Sequence, residues 1–386
     1  MRRGSEAGGY HCLSANECSV SGPAGPDWIV VVMGSLPLWL LIVIFVGASV
    51  VIWFAGIQLS RKTDILDKRF HLGSALGGLI LLAIATNLPE LAITVSAAMS
   101  GDLEVAVGNI LGGIALQTVV LVVLDVFGVK GKHPLTYKAA SLTLVIEAVT
   151  VVAVLAVVIA GSQMPSGVVF ARVTPSAVLI AVVWVVGLLL VQRAQKHLPW
   201  QEEGEAPESQ SEPRGHSKAK SKHDSTKTKG TGASVAVFAV AAVATLIAGV
   251  VLEQSGSAAA DQVGLSGVLF GATVLALATS LPEISTGLAS VRQGDYKLAV
   301  SDIFGGNAFL PVLFLLAVLI SGKAVLPQAQ ATDIYLTALA ILLTVVYLLG
   351  LLFRPQRRLA RMGADSLIVL VLYALGVAGL FVVAGG

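Results

Sequence analysis

Apolar runs, each about as long as a bilayer is thick, alternate along this chain with short polar connectors. The hydrocarbon core of a membrane needs about 20 apolar residues per helix. Ten runs meet that length: near 36 to 59, 72 to 99, 104 to 127, 138 to 160, 174 to 192, 234 to 253, 263 to 291, 297 to 320, 332 to 353 and 365 to 384. Each predicts a helix, because only a helix satisfies its own backbone hydrogen bonds within one segment in lipid. One long polar stretch, 193–233, separates the fifth run from the sixth and is built of Glu, Pro, Ser, Lys and Gly. Such a composition cannot bury enough apolar surface to fold, so it reads as a disordered linker. The pattern divides the chain into a leader (1–35), a first five-helix half (36–192), the linker (193–233) and a second five-helix half (234–386).

Composition agrees with a membrane protein. The chain is 55% hydrophobic and 12% charged, with a mean hydropathy of +0.85, outside the range of soluble domains. A net charge of +2, with Lys and Arg scattered among the connectors, argues against a nucleic-acid partner. Cys12 and Cys18 both precede the first run and cannot form a metal site within it. The first 27 residues carry Arg2 and Arg3 but no short apolar core with a cleavage site, so they do not read as a signal peptide. Met33 is an alternative start.

The basic residues orient the spans. The N-terminus, the C-terminus and the connectors after even-numbered spans hold Arg2, Arg3, Arg172 and Lys323, and the odd-numbered connectors hold all the rest of the chain's 25 Lys and Arg. The positive-inside rule then places both termini outside and the linker in the cytoplasm, in the cell's inner (plasma) membrane.

Self-similarity organises the halves. At an offset of 193 residues, ATNLPELAITVSAAMSGDLEVAVGNILGGIA (85–115) aligns with ATSLPEISTGLASVRQGDYKLAVSDIFGGNA (278–308). Matched positions include Thr86 and Thr279, Pro89 and Pro282, Glu90 and Glu283, Gly112 and Gly305, and Gly113 and Gly306. Five spans separate the copies, and because five is odd the second copy enters the membrane from the opposite side. The expected fold is an all-α membrane protein of ten transmembrane helices, arranged as two inverted five-helix repeats, with the repeat motifs at 72–127 and 263–320. Inverted repeats are the symmetry of alternating-access transporters.

The chemistry lies in the repeat. Glu90 and Glu283 fall well inside apolar runs, where a charged side chain costs about 2.5–3.5 kcal/mol, and their spans hold no central Lys or Arg to offset that cost. A bound cation, protons, or both in turn are the remaining means. Two carboxylates brought together by pseudo-symmetry suit a hard divalent cation such as Ca²⁺. Pro89 and Pro282 free the carbonyls of Ala85 and Ala278, and unwound backbone lining a cavity supplies further oxygens. Thr86, Asn87, Thr279 and Ser280 add oxygens on the same turns. Asn109 and Asp302 occupy matched positions in spans 3 and 8, with Gln117 and Asn307 nearby. The glycine pairs let these helices approach closely.

These motifs resemble the alpha repeats of the cation/calcium exchanger superfamily, whose form is Gly-Thr-Ser-Leu-Pro-Glu, then Gly-Asn and Gly-Ser-Asn. The resemblance implies that Glu90 and Glu283 are the central ligands and that Thr86 and Thr279 contribute backbone oxygens. Asn87 replaces the first repeat's Ser, Gly113 and Gly306 replace both serines of Gly-Ser-Asn, and the closing polar position is Gln117 in one repeat and Leu310 in the other. In the family those positions help hold sodium, so sodium ligands are depleted while the divalent centre is kept. Asp302, in place of Asn, restores one carboxylate.

Other polar residues have plainer roles. Asp125 and Glu147 are not duplicated and stay outside the core site, and Asp102 and Asp295 follow glycine in short connectors, where turn and helix N-cap roles are expected. His133, His197, His216 and His223 lack metal-ligand spacing. No nucleophile–base pair lies among the spans, so an enzyme is not expected. The expected function is secondary active antiport of Ca²⁺, or a similar divalent cation, against Na⁺ or H⁺. Its partners are the transported ions and the bilayer, with no cofactor. The alternatives are a passive cation channel and a degenerate relative that binds ions without transport.

Overall fold

The computed structural model describes residues 33–70, 83–101, 103–196, 231–265 and 270–385. The leader with Cys12 and Cys18, most of the linker, the first part of the expected second span and Asp102 lie outside the described residues. The rest is almost entirely helical. Helix α1 (Leu38–Phe70) is followed by a short helix α2 (Leu88–Ser100) and by α3 (Leu103–Val123), which ends in a π-helical turn at Leu124–Gly128. The chain continues through α4 (Leu135–Ala139), α5 (Leu142–Ser162), α6 (Pro175–Lys196) and α7 (Thr231–Gln262). A second π-helical turn (Gly271–Leu275) leads into α8 (Ala276–Thr279) and α9 (Leu281–Arg292). Then come α10 (Tyr296–Phe309), α11 (Leu313–Ser321) and α12 (Ala331–Phe353). A two-strand hairpin, β1 (Arg358–Leu359) with β2 (Met362–Gly363), precedes α13 (Ala364–Gly385).

Among the described residues, eight helical segments are long and apolar enough to cross a membrane. The pair Gly271–Thr279 and Leu281–Arg292, bent by 48°, makes a ninth if counted as one span. These segments lie on nine of the ten apolar runs, and of the remaining run the described part ends in the 13-residue α2. Two helix ends lie well beyond the expected ones. Helix α1 continues past residue 59 to Phe70, through the polar stretch that follows the apolar run. Helix α7 runs on past residue 253 to Gln262, because Glu253 is buried and hydrogen-bonded by Gln254 (2.7 Å) rather than marking a solvated end.

Burial ranks the spans. Of the apolar window in Leu103–Gly128, 83% is buried inside the protein, against 17% for Ala364–Ala384. Helix α3 is therefore central and α13 peripheral, as expected for a helix apolar on every side that also carries Asn109 and Gln117.

Glycines set the closest helix approaches, and two of them follow the 193-residue offset. A side-chain carbon at Gly56 on α1 would lie 2.8 Å from the Cβ of Pro282. The matched Gly249 on α7 faces the carbonyl oxygen of Pro89, 3.2 Å from such a carbon. Each long helix thus rests on the proline turn of the other half, and α1 and α7 pack against each other. On α3, Gly112 abuts the backbone of Ala272 in the second π turn.

Two acids set aside on sequence grounds have structural partners. Asp295 caps α10, accepting from the amide of Leu298 at 3.2 Å. Asp125, at the end of α3, accepts from the amides of Leu135 (2.9 Å) and Gly363 (2.6 Å) and from the Ser366 hydroxyl (3.0 Å), with the Arg358 guanidinium 3.7 Å away. It ties the connector after α3 to the β hairpin.

Candidate functional site

The two repeats break their helices at the same place. Pro89 and Pro282 have no N–H to donate, so no i→i−4 bond reaches the carbonyls of Ala85 and Ala278. Just before each proline, Asn87 (φ −88°, ψ 17°) and Ser280 (φ −81°, ψ 2°) leave helical geometry. Both side chains fold back on the preceding turn: Asn87 Nδ2 donates to the Ala83 carbonyl (2.6 Å), and Ser280 Oγ to the Ala276 carbonyl (2.8 Å). The hydroxyls of Thr86 and Thr279 donate to the same two carbonyls, each at 3.2 Å. Glu90 and Glu283 sit in the first turns of α2 and α9, where the positive end of the helix dipole favours negative charge.

Tertiary structure crosses the repeats. The Thr279 hydroxyl lies beside the Glu90 carboxylate, and the Thr86 hydroxyl beside both Glu283 and Asp302. Glu283 is within electrostatic reach of Glu90 and Asp302, and no Lys or Arg among the described residues acts on any of the three. All eight residues singled out on sequence grounds (Thr86, Asn87, Glu90, Asn109, Thr279, Ser280, Glu283 and Asp302) are buried. Three carboxylates gathered without a basic partner repel one another as charges, a cost that a cation or protons would remove.

The oxygens are not equally free. Neither oxygen of Glu283 has a hydrogen-bond partner, and neither has Glu90 Oε2 or Asp302 Oδ1. Asp302 Oδ2 accepts from the Thr286 hydroxyl at 3.0 Å. Both side-chain polar atoms of Asn109 are buried without a partner, and the backbone of α3 at Asn109 meets Gly271. Asn87 is the candidate least free to act as a ligand, since its amide nitrogen is held by Ala83 and its oxygen accepts from Gln117. Among the described residues no three His, Cys, Asp or Glu side chains already converge as a metal-ligand group. Any ion held here would draw on hydroxyl, amide and freed backbone oxygens as well as the carboxylates.

Gln117 has a larger part than its sequence position suggests. Its Nε2 donates to Asn87 Oδ1 (3.3 Å) and Glu90 Oε1 (3.4 Å), filling a place between two acceptors. The matched Leu310 is fully buried and offers Glu283 nothing equivalent. Gly306 leaves room for this arrangement, since a side-chain carbon there would lie 2.8 Å from Asn87 Nδ2. The only signal in the sequence was the polar-to-apolar mismatch between the repeats. Thr286, one turn beyond Glu283, carried none. Gln117→Leu, which copies the second repeat, is expected to destabilise the protein by about 1–3 kcal/mol by leaving two buried acceptors unpaired. Thermal unfolding in detergent checks this, and an unchanged midpoint would count against the role.

The family described as "Sodium/calcium exchanger protein" matches residues 39–192 and 233–382. The chain belongs to this family. It is a multi-pass membrane protein of an exchanger family, a class of transporters rather than enzymes. "Inner membrane protein YrbG" of Escherichia coli (strain K12) is 25% identical over 293 residues, covering 75% of this chain and 82% of that protein. Among solved structures, the "H+/Ca2+ Exchanger CAX" has a TM-score of 0.65 at 12% identity and covers 92% of this chain and 85% of its own. The sodium-calcium exchanger NCX_Mj has a TM-score of 0.57 at 14% identity and covers 89% of this chain and 100% of its own. At these identities the structural likeness is one of fold.

Proposed function

We propose that this exchanger-family protein is a secondary active antiporter that moves Ca²⁺, or a similar divalent cation, by alternating access at a site centred on Glu90 and Glu283. The observation that carries this reading is the buried trio of Glu90, Glu283 and Asp302 without a basic counter-ion. An empty, fully charged site of this kind is too costly to cross the membrane, so each half-cycle carries either the cation or protons. Thr86, Thr279, Ser280 and Asn109 add oxygens, and the carbonyls of Ala85 and Ala278 complete a shell of the kind Ca²⁺ takes. Asn87 holds Gln117 in place.

The architecture in this reading is ten spans in two inverted repeats, in which the break at Asn87 corresponds to the break at Ser280. The reciprocal contacts of Gly56 with Pro282 and Gly249 with Pro89 support that symmetry. Both termini lie outside and the linker, 193–233, is cytoplasmic, on the side that holds most Lys and Arg.

Of Na⁺ and H⁺, we place the proton first as coupling ion. Leu310 gives the second repeat no counterpart to the Gln117 side chain, Asn87 Oδ1 is already engaged by Gln117 Nε2, and Gly113 and Gly306 carry no side-chain oxygen, which reduces the neutral oxygens offered to a second cation. Protons require only the carboxylates.

The test is uptake of radioactive calcium into vesicles holding the purified protein. An imposed proton gradient is expected to drive accumulation against the calcium gradient, and a sodium gradient to drive much less. Equal flux with and without any gradient would instead indicate a passive channel and overturn antiport.

A further inference from the structure

Glu147, on α5, is a buried carboxylate that the ion site does not use. One oxygen, Oε1, accepts from the Ser301 hydroxyl on α10 at 2.9 Å, and the other, Oε2, is buried with no partner. Helix α5 packs against α6, α10 and α12. Its side-chain hydrogen bond comes from Ser301, and the charged and titratable side chains on those helices include Arg193, Lys297, Asp302, Asp333 and Tyr347. One carboxylate and one hydroxyl fall far short of the six to eight oxygens that Ca²⁺ takes. A proton satisfies the site, because it removes the charge and needs one free carboxylate oxygen, which Oε2 supplies.

The position gives the site a direction. Glu147 and Ser301 each lie five residues in from the starts of α5 and α10, a depth of about 7–8 Å at 1.5 Å per residue. The segments leading to those starts carry Lys130, Lys132 and, at the end of α9, Arg292, and belong to the more basic side. Ser301 is followed directly by Asp302, whose carboxylate accepts from Thr286 on α9, one turn past Glu283.

We propose that Glu147 is a proton-binding site of the exchange cycle, separate from the ion site and joined to it through Ser301. This rests on the reading that Asp302 and the two glutamates hold the divalent cation. A cation arriving there adds positive charge on the Ser301 side of Glu147 and favours release of its proton. By linkage, a proton on Glu147 weakens cation binding to the same degree.

The test uses the full chain in lipid nanodiscs, as wild type, Glu147→Gln and Ser301→Ala. Glutamine keeps the size of the side chain and an acceptor for Ser301, so a purely structural contact would survive it. A pH step without calcium is expected to give an infrared carboxylic-acid C=O difference band that Glu147→Gln lacks and Ser301→Ala shifts. Calcium added to weakly buffered protein is expected to release about one proton fewer from Glu147→Gln than from wild type, and calcium affinity at alkaline pH is expected to be lower in Glu147→Gln, because the neutral amide stands in for the protonated acid. Identical infrared spectra, or equal proton release, would overturn the proposal. Should wild type bind no calcium at any pH, the ion-site reading fails by itself. The infrared step then decides Glu147 alone, its band upholding the proton site and its absence removing it.

Discussion

Glu283→Gln is expected to weaken calcium binding by roughly 30-fold to several thousand-fold while leaving thermal unfolding in detergent nearly unchanged. The affinity loss follows from removing one buried charge from a charged pair with its ion, worth about 2–5 kcal/mol. The unchanged stability follows from the structure, where neither oxygen of Glu283 accepts a hydrogen bond and Glu90 and Asp302 lie within electrostatic reach. A neutral amide there gives up no partner and relieves repulsion. Glu90→Gln is expected to lose as much affinity but also about 1 kcal/mol of stability, because Glu90 Oε1 accepts from Gln117 and a glutamine amide can turn a donor toward it. Radioactive calcium binding and melting curves on the purified variants separate the two effects. Wild-type affinity in Glu283→Gln would remove it from the ion site.

The adjacent glycines of α3 are expected to respond oppositely to alanine. At Gly112 a new methyl group would collide with the backbone of Ala272 in the second π turn, which cannot move aside as a flexible side chain would. Overpacking of this kind costs about 1–3 kcal/mol. It would also push α3, with Asn109 and Gln117, away from the turn that leads to Thr279 and Glu283. Gly112→Ala should therefore lower both melting temperature and calcium transport. At Gly113 the nearest atom to such a methyl is Leu310 Cδ1 at 4.0 Å, an ordinary contact, so Gly113→Ala should leave both near wild type. Equal effects at the two positions would mean that the approach of α3 to the π turn does not shape the site.

The apolar runs, the repeat at an offset of 193 residues and the placing of Glu90 and Glu283 within it were all legible from the amino-acid order. A carboxylate inside an apolar span is costly wherever that span packs, and its duplication beside a proline is visible without coordinates. Asp295 as a helix cap was legible for the same reason, since a cap is set by its nearest neighbours in sequence. Asn87 was legible as a polar residue at the site but not in its role, because its bond to Gln117 joins residues 30 positions apart.

Contacts between helices distant in sequence depended on the packing. The neighbouring of Thr279 with Glu90 and of Thr86 with Glu283 arises because the two proline turns meet, so a threonine of each lies beside the carboxylate of the other. Glu147 looked like an isolated acid until α5 and α10 were brought together to pair it with Ser301. Gly112 and Gly113 are indistinguishable as letters, yet helical geometry turns consecutive residues by about 100°, so one faces Ala272 and the other comparatively open space. The amino-acid order alone determined which groups must be buried and therefore need an ion, a proton or a partner. Only the tertiary structure decided which partner each received, because that depends on which faces of separate helices are pressed together.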